Sequence, residues 1–75
     1  MTKHDLLEHL ADAGSADAMD VAGAFDMAYA AAAMALLRLA RQGLARRYVD
    51  VGRGLYFYEL TERGHARLAF FRTHP

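Results

Sequence analysis

The chain has 75 residues, 55% hydrophobic and 24% charged, with no cysteine and a formal net charge of zero that conceals a polarity. Met1 to Asp26 carries six carboxylates against Lys3, a net of −5, while Met27 to Pro75 carries eight arginines against three carboxylates, a net of +5. A chain of this length removes only about 60% of its unfolded surface from water and supports one core; the composition excludes a disordered segment, a disulfide framework and a thiolate metal site.

The first element is a helix over residues 3–13. Thr2 stands where a hydroxyl accepts a backbone N–H, Asp5 places a carboxylate in the first turn, and Leu6, Leu7, Leu10 and Ala13 form one apolar stripe. Gly14 ends it. Gly14 to Asp17 reads as a connection, with Ser15 or Asp17 available to cap a second helix over 18–25 whose inward residues are Val21, Ala22 and Phe25. Asp26 follows at once, so the break before the next helix must be tight; Asp is one of the few non-glycine residues that tolerate a left-handed backbone. The third helix, over 28–42, is built on alanine and forms with little help from packing. Met27, Ala32, Leu36 and Leu39 make its inward stripe, and Gly43 stands where a left-handed residue closes a helix.

After Leu44 the hydrophobic period changes from 3.6 to 2. ARRYVDV and LYFYELT, separated by Gly52-Arg53-Gly54, predict a β-hairpin over 45–60. A three-residue loop pairs Val51 with Leu55, Val49 with Phe57, Tyr48 with Tyr58 and Arg47 with Glu59. One face then holds Tyr48, Tyr56, Tyr58 and Leu60, the other Val49, Val51, Leu55 and Phe57. With both faces apolar, something beyond the domain's own core is expected to cover the second. Thr61 caps a last helix, over 61–72, with Glu62 in its first turn.

This order of elements, and the segment Asp20 to Leu44 (DVAGAFDMAYAAAAMALLRLARQGL) in particular, resembles the winged helix-turn-helix of MarR-like and PadR-like transcriptional regulators. Val21, Ala22, Phe25, Met27, Ala32, Leu36, Leu39 and Leu44 match the apolar positions of the motif, and Leu60 to Leu68 (LTERGHARL) is similar to the segment that leaves the wing. The resemblance implies an α+β, mostly α fold: a three-helix bundle, a two-stranded hairpin wing and a C-terminal helix in a single domain over residues 1–75. Two positions depart from the pattern. Asp26 replaces the usual turn glycine, and Ala28 replaces the serine or threonine that caps the recognition helix, a loss of about 1 kcal/mol.

The resemblance implies duplex DNA as a partner. The matching positions are Tyr29, Ala30, Ala33, Met34, Leu37 and Arg38 on the third helix, with Arg41 near its end, Arg53 at the wing tip, and Arg46 and Arg47 adding field or backbone contacts. Only Arg38 among the helix residues has the bidentate donors that read a base edge, so low direct base readout is expected. Attraction to phosphates follows the local field, and every arginine lies in the basic part.

The competing expectation is a protein-interaction module. Ala30, Met34 and Leu37 form a second apolar stripe on the third helix, and together with Val49, Val51, Leu55, Phe57, Phe70 and Phe71 they make a surface suited to a partner or, most simply, to a homodimer through the first or last helix. An enzyme is not expected. His4, His9, His65 and His74 are scattered, no nucleophile-base pairing has a local signature, and the Gly-Arg-Gly of the wing lacks the strand-to-helix context of a phosphate loop, so neither metal nor cofactor is expected. The longest apolar run, Met27 to Leu37, falls short of the ~20 residues of a bilayer span, and no secretory leader opens the chain, so a cytoplasmic protein is expected.

Overall fold

The computed structural model describes residues Met1–His74. It consists of α1 (Lys3–Ala13), α2 (Ala18–Phe25), α3 (Tyr29–Arg41), β1 (Ala45–Asp50), β2 (Leu55–Leu60) and α4 (Glu62–Thr73). Side-chain caps set the helix starts. Thr2 Oγ1 accepts from the Asp5 amide while the Asp5 carboxylate accepts from the Thr2 amide, and Asp17 and Asp20 form the same reciprocal box at α2. Thr61 caps α4 through the Gly64 amide, whereas Ala28 offers α3 no side-chain cap.

Asp26 adopts the left-handed conformation (φ 50°, ψ 57°), and the chain turns by 116° between α2 and α3 through Asp26, Met27 and Ala28 alone. A sharp angle closed by so few residues is the helix-turn-helix arrangement. At its far end α3 closes on Gly43 (φ 74°): the Leu44 amide donates to Leu39 O and the Gly43 amide to Ala40 O, each at 3.0 Å, with Leu39 and Leu44 both buried beneath.

The core is one cluster in which Leu6, Leu7 and Leu10 of α1 meet Val21, Ala32, Leu36, Leu39, Leu44, Tyr58 and Leu68. Ala13, expected to continue the α1 stripe, is exposed, so the buried stripe of α1 is Leu6, Leu7 and Leu10. Gly64 is where α4 crosses closest to the start of β1: a Cβ there would stand 2.0 Å from the Leu44 carbonyl oxygen. That carbonyl takes the Thr61 amide at 3.0 Å, and Thr61 Oγ1 donates to Gly43 O at 2.7 Å, so the end of α3 and the start of α4 are held together.

The hairpin differs from the expected register by one residue. Ala45 pairs with Leu60, Arg46 with Glu59, Arg47 with Tyr58, Tyr48 with Phe57, Val49 with Tyr56 and Asp50 with Leu55. The cause lies in the turn. Asp50 Oδ1 accepts the Gly52 amide and Asp50 O accepts the Gly54 amide at 2.8 Å, so the loop is Val51 to Gly54 and Asp50 closes it. The shift puts Ala45, Arg47, Val49, Tyr56, Tyr58 and Leu60 on one face and Arg46, Tyr48, Asp50, Leu55, Phe57 and Glu59 on the other. Tyr58 also forms an antiparallel bridge to Ala16, N–H to O at 3.0 and 2.9 Å, so the connection before α2 adds a short third strand position.

Candidate nucleic-acid interface

The outward side of α3 carries no carboxylate. Tyr29 is 58% exposed, Ala30, Met34, Arg38 and Arg41 are exposed, and Ala33 and Leu37 are half-buried. The apolar stripe expected of Ala30, Met34 and Leu37 does not form one free face. Ala30 and Met34 line an open groove of about 590 Å³ between α3 and the start of α1, together with Met1, Leu6, Met27 and Arg38, whereas Leu37 lies outside it. On the α3 side the groove is lined by the small side chains of Ala30, Ala31 and Ala35 beside the longer Met34, Arg38 and Leu39.

Arg41 parts from Arg38. One turn further along α3, it lines an adjoining cleft of about 500 Å³ with Leu44, Arg63 and Arg67 and with Lys3 and Gln42, which border both. Arg63 and Arg67 were not singled out by sequence; their i, i+4 spacing on α4 is the signal that they share a face, but not that this face meets Arg41.

In the wing, the ion pair joins Arg46 to Glu59, replacing the expected pairing of Arg47. The guanidinium of Arg47 lies instead 4.4 Å from the ring centroid of Tyr56 on the opposite face, and that of Arg53 lies 5.9 Å from Phe57, which stacks on Tyr48 at 6.0 Å. The aromatic residues of the wing are therefore covered in part by its own arginines. Val51 is 91% exposed in the loop, Val49, Leu55 and Tyr56 are exposed on the strands, and Phe57 is half-buried.

Of the two phenylalanines of α4, Phe70 is exposed, but Phe71 packs against the core and stacks on His4 at 5.5 Å. His4 also reaches Glu8, which receives two hydrogen bonds of 3.1 Å from Arg72 and so clamps α1 to α4. The Arg72 guanidinium beside Glu8 holds its carboxyl below the usual glutamate range, and Arg72 is raised in return. The amide hydrogen bonding at the cap with Thr2 likewise lowers Asp5. Among the described residues no three His, Asp or Glu side chains converge on a shared metal position, and no single helix is long and apolar enough to cross a membrane.

No protein-family model matches the sequence, and no curated protein matches it significantly. Solved structures do match the fold. A MepR-like protein complexed with pseudoligands is 29% identical, with a TM-score of 0.81 over 89% of this chain and 48% of that one. The YusO protein of Bacillus subtilis superimposes with a TM-score of 0.83 at 20% identity, over 89% of this chain and 48% of YusO. A mutant MarR from E. coli, complexed with operator DNA, gives 0.82 at 18% identity, over 89% and 49%. The chain is similar to MarR-type winged helix-turn-helix proteins, and it spans about half the length of each of these three.

Proposed function

We propose that the chain is the DNA-binding part of a transcriptional regulator and that it grips duplex DNA with α3 in the major groove and the wing over the adjacent backbone. One observation carries the reading: α3 is held at 116° to α2 with its outer side free of carboxylates, beside a wing whose tip presents Arg53. The crystallised MarR mutant with operator DNA supports it as a fold-level precedent. Tyr29 and Arg38 are the contacts from α3, with Ala30, Ala33 and Met34 close to the bases. Arg53 reaches a phosphate or the minor groove, and Arg47 adds to the field. Arg46 is tied to Glu59 and contributes less.

With one bidentate donor on the recognition surface, a single copy discriminates bases weakly, and two copies on a symmetric site double the readout. Phe70, 52% exposed on α4, is the apolar residue best placed to join them. A cytoplasmic location, where duplex DNA is met, belongs to the same proposal.

The test is fluorescence anisotropy with a labelled duplex between 50 and 200 mM salt. A dissociation constant on the order of 10⁻⁶ to 10⁻⁴ M, weakening steeply with salt, is expected, and Arg38→Ala and Arg53→Ala should each lower the slope of log K against log salt by about 0.9. Absence of binding at 50 mM salt, or slopes untouched by both substitutions, would overturn the assignment.

A further inference from the structure

Four cations, Lys3 at the start of α1, Arg41 in the last turn of α3, and Arg63 and Arg67 on the first two turns of α4, line one cleft of about 500 Å³ whose other lining residues are Gln42 and Leu44. No carboxylate lines it. None of the four forms an ion pair among the described residues: the bridges present join His4 and Arg72 to Glu8, and Arg46 to Glu59. Like charges gathered without a counterion repel one another, and most surfaces intersperse acids to relieve this.

The arginines are not occupied in capping α3 either. Three carbonyls of its last turn already have amide partners: Arg38 O takes the Gln42 amide, Leu39 O that of Leu44 and Ala40 O that of Gly43, while Gly43 O takes the Thr61 hydroxyl. The guanidinium of Arg63 lies over Gly43, its Nη1 at 3.4 Å from where a Cβ would stand. Lys3 is the first residue of α1 and Arg63 the second of α4, so two positive helix ends border the cleft and one negative end, that of α3, opposes them.

From this convergence we infer a second binding site, distinct from the proposed DNA-contacting side of α3 and the wing tip, for a small, multiply charged anion of the oligophosphate class. The volume is in the range of small-molecule sites. The site is a shallow cleft between three helices in which Lys3, Arg41 and Arg63 are exposed and Arg67 is half-buried. Arginine forks match the oxygens of phosphate groups in pairs, and Lys3 adds a point charge at the rim. No aromatic side chain lines the cleft, so recognition rests on the anionic groups.

Isothermal titration of the full chain with inorganic tripolyphosphate, at 50 and 150 mM salt, tests the site, with citrate as a carboxylate counterpart and orthophosphate as a singly phosphorylated one. Saturable binding at one site per chain is expected, stronger for tripolyphosphate than for citrate or orthophosphate, and the double variant Arg63→Gln/Arg67→Gln should weaken it at least tenfold, roughly the worth of one lost charge-assisted hydrogen bond. The same variant should leave the salt slope for duplex DNA unchanged, and Arg53→Ala should leave tripolyphosphate binding unchanged. These DNA and anion readouts separate failure of this site from failure of the DNA assignment. Lys3→Gln, on a different helix, gives the same comparison should the double variant melt at a lower temperature than the parent. Non-saturable uptake, equal loss with Arg53→Ala, or an equal loss of DNA and tripolyphosphate binding in the double variant would overturn the proposal; the last result would make the cleft a DNA-backbone contact. Preference for citrate would overturn the oligophosphate class.

Discussion

Replacing Gly64 with alanine tests the close approach of α4 to Leu44. Alanine favours helix over glycine by at most about 1 kcal/mol, so on local grounds Gly64→Ala would stabilise α4. The tertiary structure reverses the sign. The new methyl would sit 2.0 Å from the Leu44 carbonyl oxygen, 3.0 Å from its carbon and 3.1 Å from Leu60 Cδ2. Two of these neighbours are backbone, and the oxygen is held by the Thr61 amide, so relief requires α4 to move away from β1. Overpacking of this kind costs about 3 kcal/mol, leaving a net loss of roughly 2 kcal/mol after the propensity gain. For a domain of this size the melting temperature should fall by roughly 8–16 °C, read by circular dichroism. A melting temperature equal to or above that of the parent would refute the docking of α4 on Leu44, and with it the placement of Arg63 over Gly43.

Three further outcomes are expected. Ala28→Ser supplies the cap that α3 lacks and should raise stability by about 1 kcal/mol in urea titration, since Ala28 already has the extended backbone of a capping residue; no gain would mean that the serine hydroxyl fails to reach the α3 amides. A double-mutant cycle on Arg46 and Glu59 should give a coupling of about 0.2–1 kcal/mol and the cycle on Arg47 and Glu59 none, because only the first pair meets across the ladder; the opposite pattern would restore the three-residue loop. The carboxyl of Glu8 is lowered by Arg72, so its contribution is present above the usual glutamate pKa near 4.5 and is lost as pH falls through the lower folded value. The stability difference between the parent and Glu8→Gln should therefore shrink on acidification below about pH 4.5, and a difference that stays constant down to pH 2 would remove the clamp from the account.

Local chemistry was legible from the residues themselves. Thr2 and Thr61 start helices because a short oxygen-bearing side chain can reach an amide three residues on, and of the two candidates Ser15 and Asp17 the structure uses Asp17 in the same way. Asp26 accepts a left-handed backbone, and the 3.6-residue stripe of Ala32, Leu36 and Leu39 points into the core. Each of these depends on a few residues in a row, and so did the helix boundaries and the order of elements that suggest a winged helix.

What the tertiary structure decided involves residues far apart in the chain. The ladder register depended on Asp50 closing the turn and on Tyr58 bridging Ala16, and a one-residue change there moved Tyr48 to the face of Phe57 and Val49 to the face of Tyr58. Gly64 reads as a weak helix residue until the Leu44 carbonyl is placed beside it. Alternation and helical spacing say which residues share a side of one element, but not which element that side meets. The same limit hid the meeting of Lys3 with Arg41, Arg63 and Arg67, since their convergence arises from the packing of α1 on α4 and the closure of α3 at Gly43.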